Sequence, residues 1–311
     1  MIDQNNLLTL LSRLGVRYEE SCPLSRLTSF RIGGPARIAV FPESPEQAVV
    51  AMDALKESGT PFTVIGNGTN LLAPDGGYDG AVVVMTGIAG FSASDPDNDG
   101  GRTLTVGVGM PVTSLASRAA KLSLTGLEFA YGIPGTVGGG IYMNAGAYGG
   151  QVSDVVVSSR WYDPETGETG TLDAPGHAFA YRHSSYMEND RVILSAEIRL
   201  SAGDAGTIGA AMKDYMSRRR EKQPLDLPSA GSVFKRGNGF ITAKLIEECG
   251  LKGRRVGGAE ISLKHAGFIV NRGGATARDV LTLADIVRDE VFEKTGKTIE
   301  REIRTLPDGK Y

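Results

Sequence analysis

Nine glycines fall between Gly126 and Gly150 in the stretch GLEFAYGIPGTVGGGIYMNAGAYGG, which carries no charged residue after Glu128. Glycine permits positive φ and lets a ligand come close to main-chain N–H groups, so a cluster bounded by apolar residues suits a loop that cradles phosphate. A solvated linker is the alternative, but Phe129, Tyr131, Ile133, Val137, Ile141, Tyr142 and Met143 are too apolar for one. A second loop, GNGTN (66–70), follows a strand predicted over 62–65 and presents further N–H donors with small polar side chains. Neither loop carries a Walker lysine. Two such loops from two lobes could hold the pyrophosphate of a dinucleotide between them.

The elements that must position these loops read as α+β. A short amphipathic helix is predicted over 5–14, and a strand pair over 28–41 turning at Gly33 and Gly34. A helix follows: Ser44 caps it, Pro45 suits its first position and Gln47 completes a capping box. Ala48, Val49, Met52 and Leu55 face its core, and Gly59 stops it. The segment from Pro61 to Gly87 then reads strand, Gly/Asn loop, turn, strand. A second lobe has a strand at 103–108, a helix from Pro111 to about Leu122, the glycine-rich stretch, and strands at 152–162, 169–172 and 192–200, with DPETGE as a hairpin turn. Asp204 to Gly206 marks a boundary. Beyond it come helices at 207–221, 241–249 and 277–295, a strand at 267–271 and a last strand at 298–304. The expected division is residues 1–203, in lobes of about 1–90 and 91–203, and a C-terminal unit 204–311.

Composition narrows the function classes. The 311 residues suffice for two domains, and a net charge of −3 with both signs interspersed argues against nucleic acid as the main partner. The start, MIDQNNLLTLLSRLGV, lacks a cationic export region, and no segment reaches the ~20 apolar residues of a membrane span. A cytoplasmic protein with no membrane partner is expected. Cys22 and Cys249 form no CxxC pair, and His177, His183 and His265 form no ligand set, so no metal is expected. GVGMPV (107–112) lacks the third glycine of a Rossmann fingerprint, and Gly296-Lys297-Thr298 has Val291 where a Walker loop needs glycine.

TSFRIGG, IGNGTNLL, GLEFAYGIPGTVGGGIYMNAGAYGG, YRHSSY, GSVFK, GGAEISLKHAGFIVN and IEREIR run in this order over nearly the whole chain, and together they resemble the UDP-N-acetylenolpyruvoylglucosamine reductases of bacterial cell-wall synthesis. The resemblance implies a flavoenzyme. Its FAD would be held noncovalently by a two-lobed domain of the vanillyl-alcohol-oxidase type, followed by an α+β substrate-binding domain. NADPH reduces the flavin, leaves, and is replaced by the enolpyruvyl ether of UDP-N-acetylglucosamine, which becomes UDP-N-acetylmuramate. The cofactor positions implied are Ile65, Gly66, Asn67, Gly68, Thr69, Asn70 and Leu71 in the first loop. In the second they are Gly132, Ile133, Pro134, Gly135, Thr136, Gly138, Gly139, Asn144, Ala145 and Gly146.

The catalytic residues implied are Arg182, Ser232 and Glu302. Hydride addition to an enol ether bearing a carboxylate builds charge as an enediolate, so a fixed cation and hydrogen-bonding groups are needed nearby. Arg182 in YRHSSY would be that cation, with a surface salt bridge as its plainer reading. Glu302 in IEREIR matches the family's glutamate, although a charge alternating with apolar residues is what any half-exposed strand shows. Ser232 would protonate the intermediate, with Lys235 and Arg236 as candidate substrate contacts. Here the chain departs from the family, since Arg236 and Gly237 stand where Asn and Pro usually follow FK. Arg218, Arg219 and Arg220 end a helix and read as complements of its dipole. The short link from about Leu200 to Thr207 leaves no room for a substrate-covering insertion. Two rivals remain, a flavin oxidase of the wider type and a nucleotide-binding regulatory module without chemistry. Those oxidases often tether flavin through His or Cys, yet the first histidine here is His177, outside both loops.

Overall fold

The computed structural model describes residues 4–307. In the first lobe a four-stranded sheet runs in the order Arg17–Pro23, Pro35–Phe41, Tyr78–Val84, Phe62–Ile65. The first pair is antiparallel and the other two pairs are parallel. The strand pair expected within 28–41 is therefore corrected: only Pro35–Phe41 is extended, and its partner is Arg17–Pro23. That partner is an edge strand with Cys22 as its one buried residue, so it carries no apolar alternation to read.

Helices α1 (Gln4–Arg13) and α2 (Pro45–Glu57) pack on this lobe. Ser44 Oγ accepts from the Gln47 N–H at 3.2 Å, as expected of the cap. The Gln47 side chain, however, accepts from the Glu43 N–H at 2.8 Å instead of from Ser44, so the return bond of the box falls one residue early. Ala48, Ala51, Met52, Ala54 and Leu55 are buried.

The second lobe is an antiparallel sheet ordered Thr169–Asp173, Val156–Tyr162, Val192–Ala202, Arg102–Gly107, Phe91–Ala93. The strand expected from 152 begins only at Val156, because Val152–Asp154 form a 3-10 turn boxed by Gln151 and Asp154. Helices α3 (Val112–Lys121), α4 (Val137–Tyr142) and α5 (Ala205–Lys222) complete the lobe. One continuous core joins both lobes, from Leu7 and Val40 to Val106 and Ile198, and it includes Ile208 and Met212 of α5.

The remaining chain forms α6 (Thr242–Glu248), α7 (Ala277–Thr295) and a small antiparallel sheet of Arg255–Val256, Ala259–Ile261 and Ile269–Asn271. Its core around Val280, Leu283, Val287 and Val291 takes in Phe30, Ile32 and Leu72 of the first lobe. Helix α7 spans the residues expected of it. Thr276 and Asp279 cap it reciprocally, and Asp75 accepts from the N–H groups of Ala277 at 2.7 Å and Arg278 at 3.2 Å. The strand expected over 298–304 is not continuous: Arg301 bridges to Phe234, whereas Arg304–Thr305 pair in parallel with Leu71–Leu72. Two partners in two units share the stretch that alternation presented as one. No helix among the described residues is long and apolar enough to cross a membrane.

Candidate active site

A cavity of about 820 Å³ lies where the two lobes meet the C-terminal unit. Both glycine loops line it and they touch each other. Asn67 Nδ2 donates to the Pro134 carbonyl at 2.8 Å, and a Cβ on Gly135 would sit 3.5 Å from Thr69 Oγ1. A Cβ on Gly66 would collide with Thr136 Oγ1, and one on Gly68, whose φ is +58°, with the Leu27 carbonyl. Glycine is thus required where the loops close on each other. Among the described residues the N–H groups of Asn67, Gly68, Thr69, Gly135 and Thr136 donate to nothing in the fold. Free main-chain donors around a glycine cradle fit the pyrophosphate of a dinucleotide such as FAD.

The cofactor positions divide. Gly66, Asn67, Gly68, Thr69, Asn70, Ile133, Pro134, Gly135, Thr136, Gly139, Ala145 and Gly146 line the cavity. Ile65 and Leu71 are fully buried in the first-lobe core. Gly138 gives its N–H to the Val108 carbonyl at 2.9 Å. Gly132 stands behind the rim, its N–H held by Thr113 Oγ1 at 3.2 Å. Asn144 supports the loop from below: its amide donates to Ala180 O at 3.0 Å and accepts from Ser153 N–H at 3.0 Å.

The three catalytic candidates come together in the same cavity. Arg182 Nε donates to Glu302 Oε1 at 2.8 Å, and its Nη2 to the Gly146 carbonyl at 3.2 Å. Their side chains are 22% and 13% exposed, which sets the pair apart from the surface salt bridge that was its plainer reading. Ser232 enters from the facing segment, because the Glu302 N–H donates to the Val233 carbonyl at 2.7 Å. Burial raises the Glu302 pKa above the ordinary glutamate value, with Arg182 opposing the rise. Arg236 lines the cavity as well, and its N–H reaches Tyr181 Oη at 3.1 Å. Lys235 instead pairs with Glu300 at 3.1 Å and is not part of the lining.

Arg182 itself is held in a left-handed turn, φ +55°, between Ala180 and His183, which bridge across it. The next residues anchor that turn. Ser184 Oγ donates to the Tyr142 carbonyl at 2.8 Å, and Tyr186 Oη meets Ser159 Oγ at 2.6 Å. Ser159 in turn meets His177 Nε2 at 2.7 Å. All four of these side chains are buried or nearly so.

His265, Arg219 and Gln223 are polar lining residues whose sequence neighbourhoods do not mark them as site residues. His265 Nδ1 accepts from the Gly267 N–H at 3.2 Å, and burial lowers its pKa, so the ring is a neutral donor through Nε2. Arg219 and Gln223 also line the cavity, with Arg219 Nε and Gln223 Oε1 buried and unpartnered. For Arg219 dipole complementarity is an incomplete account. Arg218 pairs with Asp214 outside, whereas Arg219 turns inward. The phase of α5 carries the signal: Ile208, Met212, Met216, Arg219 and Gln223 fall at helical spacing, and the first two are in the core.

The family model "UDP-N-acetylenolpyruvoylglucosamine reductase, C-terminal domain" matches residues 223–306, and "FAD binding domain" matches 36–173. The chain is 43% identical to the UDP-N-acetylenolpyruvoylglucosamine reductase of Pediococcus pentosaceus, over 95% of this chain and 96% of that one. To the reductase of Pseudothermotoga lettingae it is 46% identical, over 90% and 95%. A crystal structure of the enzyme from Thermus caldophilus superposes with a TM-score of 0.77 at 31% identity, covering 94% of this chain and 99% of that one.

Proposed function

The chain belongs to the UDP-N-acetylenolpyruvoylglucosamine reductase family, and from that membership and its cavity we propose that it turns UDP-N-acetylglucosamine enolpyruvate into UDP-N-acetylmuramate with electrons from NADPH. It is an FAD-containing oxidoreductase of α+β fold. The observation that carries the assignment is one cavity lined by two glycine loops, the half-buried Arg182–Glu302 pair and Ser232.

The free main-chain donors of Asn67, Gly68, Thr69, Gly135 and Thr136 would hold the dinucleotide. Bound FAD supplies a hydride acceptor for NADPH and a hydride donor for the enolpyruvyl group. Charge then develops on the substrate's carboxylate side, and the Arg182 guanidinium offsets it. Glu302 and the Gly146 carbonyl orient that guanidinium through Nε and Nη2, leaving Nη1 for the substrate. The Ser232 hydroxyl, for which the fold offers no hydrogen bond among the described residues, delivers the proton to the neighbouring carbon. Arg236 and His265, lining the cavity on the C-terminal side, are the contacts for the anionic nucleotide half.

In this reading residues 1–203 bind FAD and 204–311 bind substrate, with α5 crossing the junction to pack Ile208 and Met212 into the first core. The protein works in the cytoplasm on peptidoglycan precursors, serving cell shape and division, with small molecules as its partners and neither nucleic acid nor membrane among them. A flavin-tethering oxidase is disfavoured, because among the described residues neither Cys22 nor Cys249 lines the cavity and His265 is its lone histidine. The test is spectroscopic. NADPH added without oxygen should bleach the flavin, and the enolpyruvyl substrate should restore its colour with stoichiometric product; a flavin that oxygen reoxidises rapidly and the substrate does not would sink the reading.

A further inference from the structure

Two observations on the last turn of α5 lead away from a structural role. Arg219 lines the cavity with its Nε buried and unbonded, and among the described residues it has no ion-pair partner. One turn on, Gln223 Oε1 is likewise buried and unbonded on the same lining. A partly buried charge without a counter-charge costs stability, so a cation in this state is complete only with an anion that the fold itself does not supply.

Position identifies the anion. Arg31, Arg182, Arg219 and Arg236 are the arginines of the lining. Arg182 is taken by Glu302, Arg31 and Arg236 are exposed, and Arg236 lies on the C-terminal side. Arg219 abuts the Gly132–Thr136 loop: its Cδ lies 3.1 Å from where a Cβ on Gly132 would stand, and Gly132 has a φ of +97°. Glycine loops without a Walker lysine provide dipoles but no full charge, whereas a pyrophosphate brings two negative charges into a partly dry site.

We propose that Arg219 is the counter-charge of the cofactor's pyrophosphate, reaching it from α5 beside the Gly132–Thr136 loop, while Gln223 accepts from a hydroxyl next to it. The assignment rests on the reading of the cavity as an FAD site. It also gives α5 a second task, since the helix that joins the two units then touches the cofactor.

The test uses the full-length protein stripped of flavin, as wild type, Arg219→Met and Arg219→Lys, titrated with FAD by fluorescence at two salt concentrations. Arg219→Met should weaken FAD binding roughly 30-fold or more and flatten its salt dependence, with Arg219→Lys in between. The flavin-free Arg219→Met protein should melt no lower than wild type, because the substitution removes an unpaired, partly buried charge. At saturating FAD its flavin midpoint potential should be unchanged. Unaltered affinity overturns the proposal. So does a loss of affinity that travels with a lower melting temperature of the flavin-free protein, or a shifted potential that would put the charge at the flavin ring. Wild type failing to take up FAD at all would remove the reading beneath it, a result distinct from any in the variants.

Discussion

Arg182 and Glu302 are 120 residues apart in sequence, yet Nε of one lies 2.8 Å from Oε1 of the other across the junction between the second lobe and the C-terminal unit. The contact is mostly buried and the arginine keeps donors to spare, so it orients a cation instead of neutralising it. Arg182→Ala should lose on the order of 10²–10³ in turnover while FAD stays bound. Near-normal turnover would return the residue to a structural role.

Glu302→Gln keeps an acceptor for Arg182 Nε and should retain more activity than Glu302→Ala. Because burial raises the Glu302 pKa, its ionised form is lost at a pH above the ordinary glutamate range as acid is added. Turnover should therefore fall on the acid side in wild type, and that limb should be missing from the pH profile of Glu302→Gln. An unchanged limb in the variant would assign it to another group.

Ser232→Ala separates the half-reactions. Flavin bleaching by NADPH should proceed at nearly the normal rate, whereas turnover with the enolpyruvyl substrate should drop by roughly 10²-fold or more, with partial recovery in Ser232→Cys. If the serine only shapes its loop, alanine will be mild and cysteine worse; stopped-flow traces beside product formation decide between the two.

Gly68→Ala puts a Cβ against the Leu27 carbonyl at a φ of +58°, so FAD affinity should weaken roughly tenfold or more. Gly76→Ala meets nothing within 4 Å and serves as the control, with stability within about 0.5 kcal/mol of wild type. Equal FAD affinity in both variants would count against the cradle.

His177 is fully buried beneath the Arg182 turn, and burial lowers its pKa, with backbone groups at Asp173 and Ala174 pulling the other way. A depressed folded pKa contributes stability that is present above the ordinary histidine value of about 6.5 and is lost as pH falls through the folded pKa. The melting temperature should thus decline below about pH 6.5, before carboxylates titrate, and decline less in His177→Phe. His265, lowered in the same direction, adds to the slope, so the variant removes only part of it.

Much of this site was legible because its signals are local. The GNGTN and GIPGTVGG loops announce themselves by glycine, and α7 by Thr276, Asp279 and Gly296 at its ends. Arg182, Ser232 and Glu302 were located through the order of motifs, not through any pattern in their own neighbourhoods. What stayed hidden depends on distant partners. Arg17–Pro23 is an edge strand whose residues are mostly exposed, and the two halves of 298–304 serve different neighbours. Arg219 sits in a run of three arginines, and only the phase inherited from Ile208 and Met212 tells which of them turns inward. Ile65, Leu71 and Gly138 adjoin the loop motifs without lining the cavity, since Ile65 and Leu71 are in the first-lobe core and the Gly138 N–H is bonded to Val108.

The parallel pairing of Arg304–Thr305 with Leu71–Leu72 bears on how the molecule is made. During synthesis Leu71–Leu72 wait for their partner strand through more than two hundred further residues, and Glu302 is made just before that strand. Arg182 meets its carboxylate only after 120 further residues have been made, so a nascent chain that already carries both glycine loops still lacks the residue that sets the guanidinium. The Arg182–Glu302 pair and the Arg304–Thr305 strand therefore come into place together.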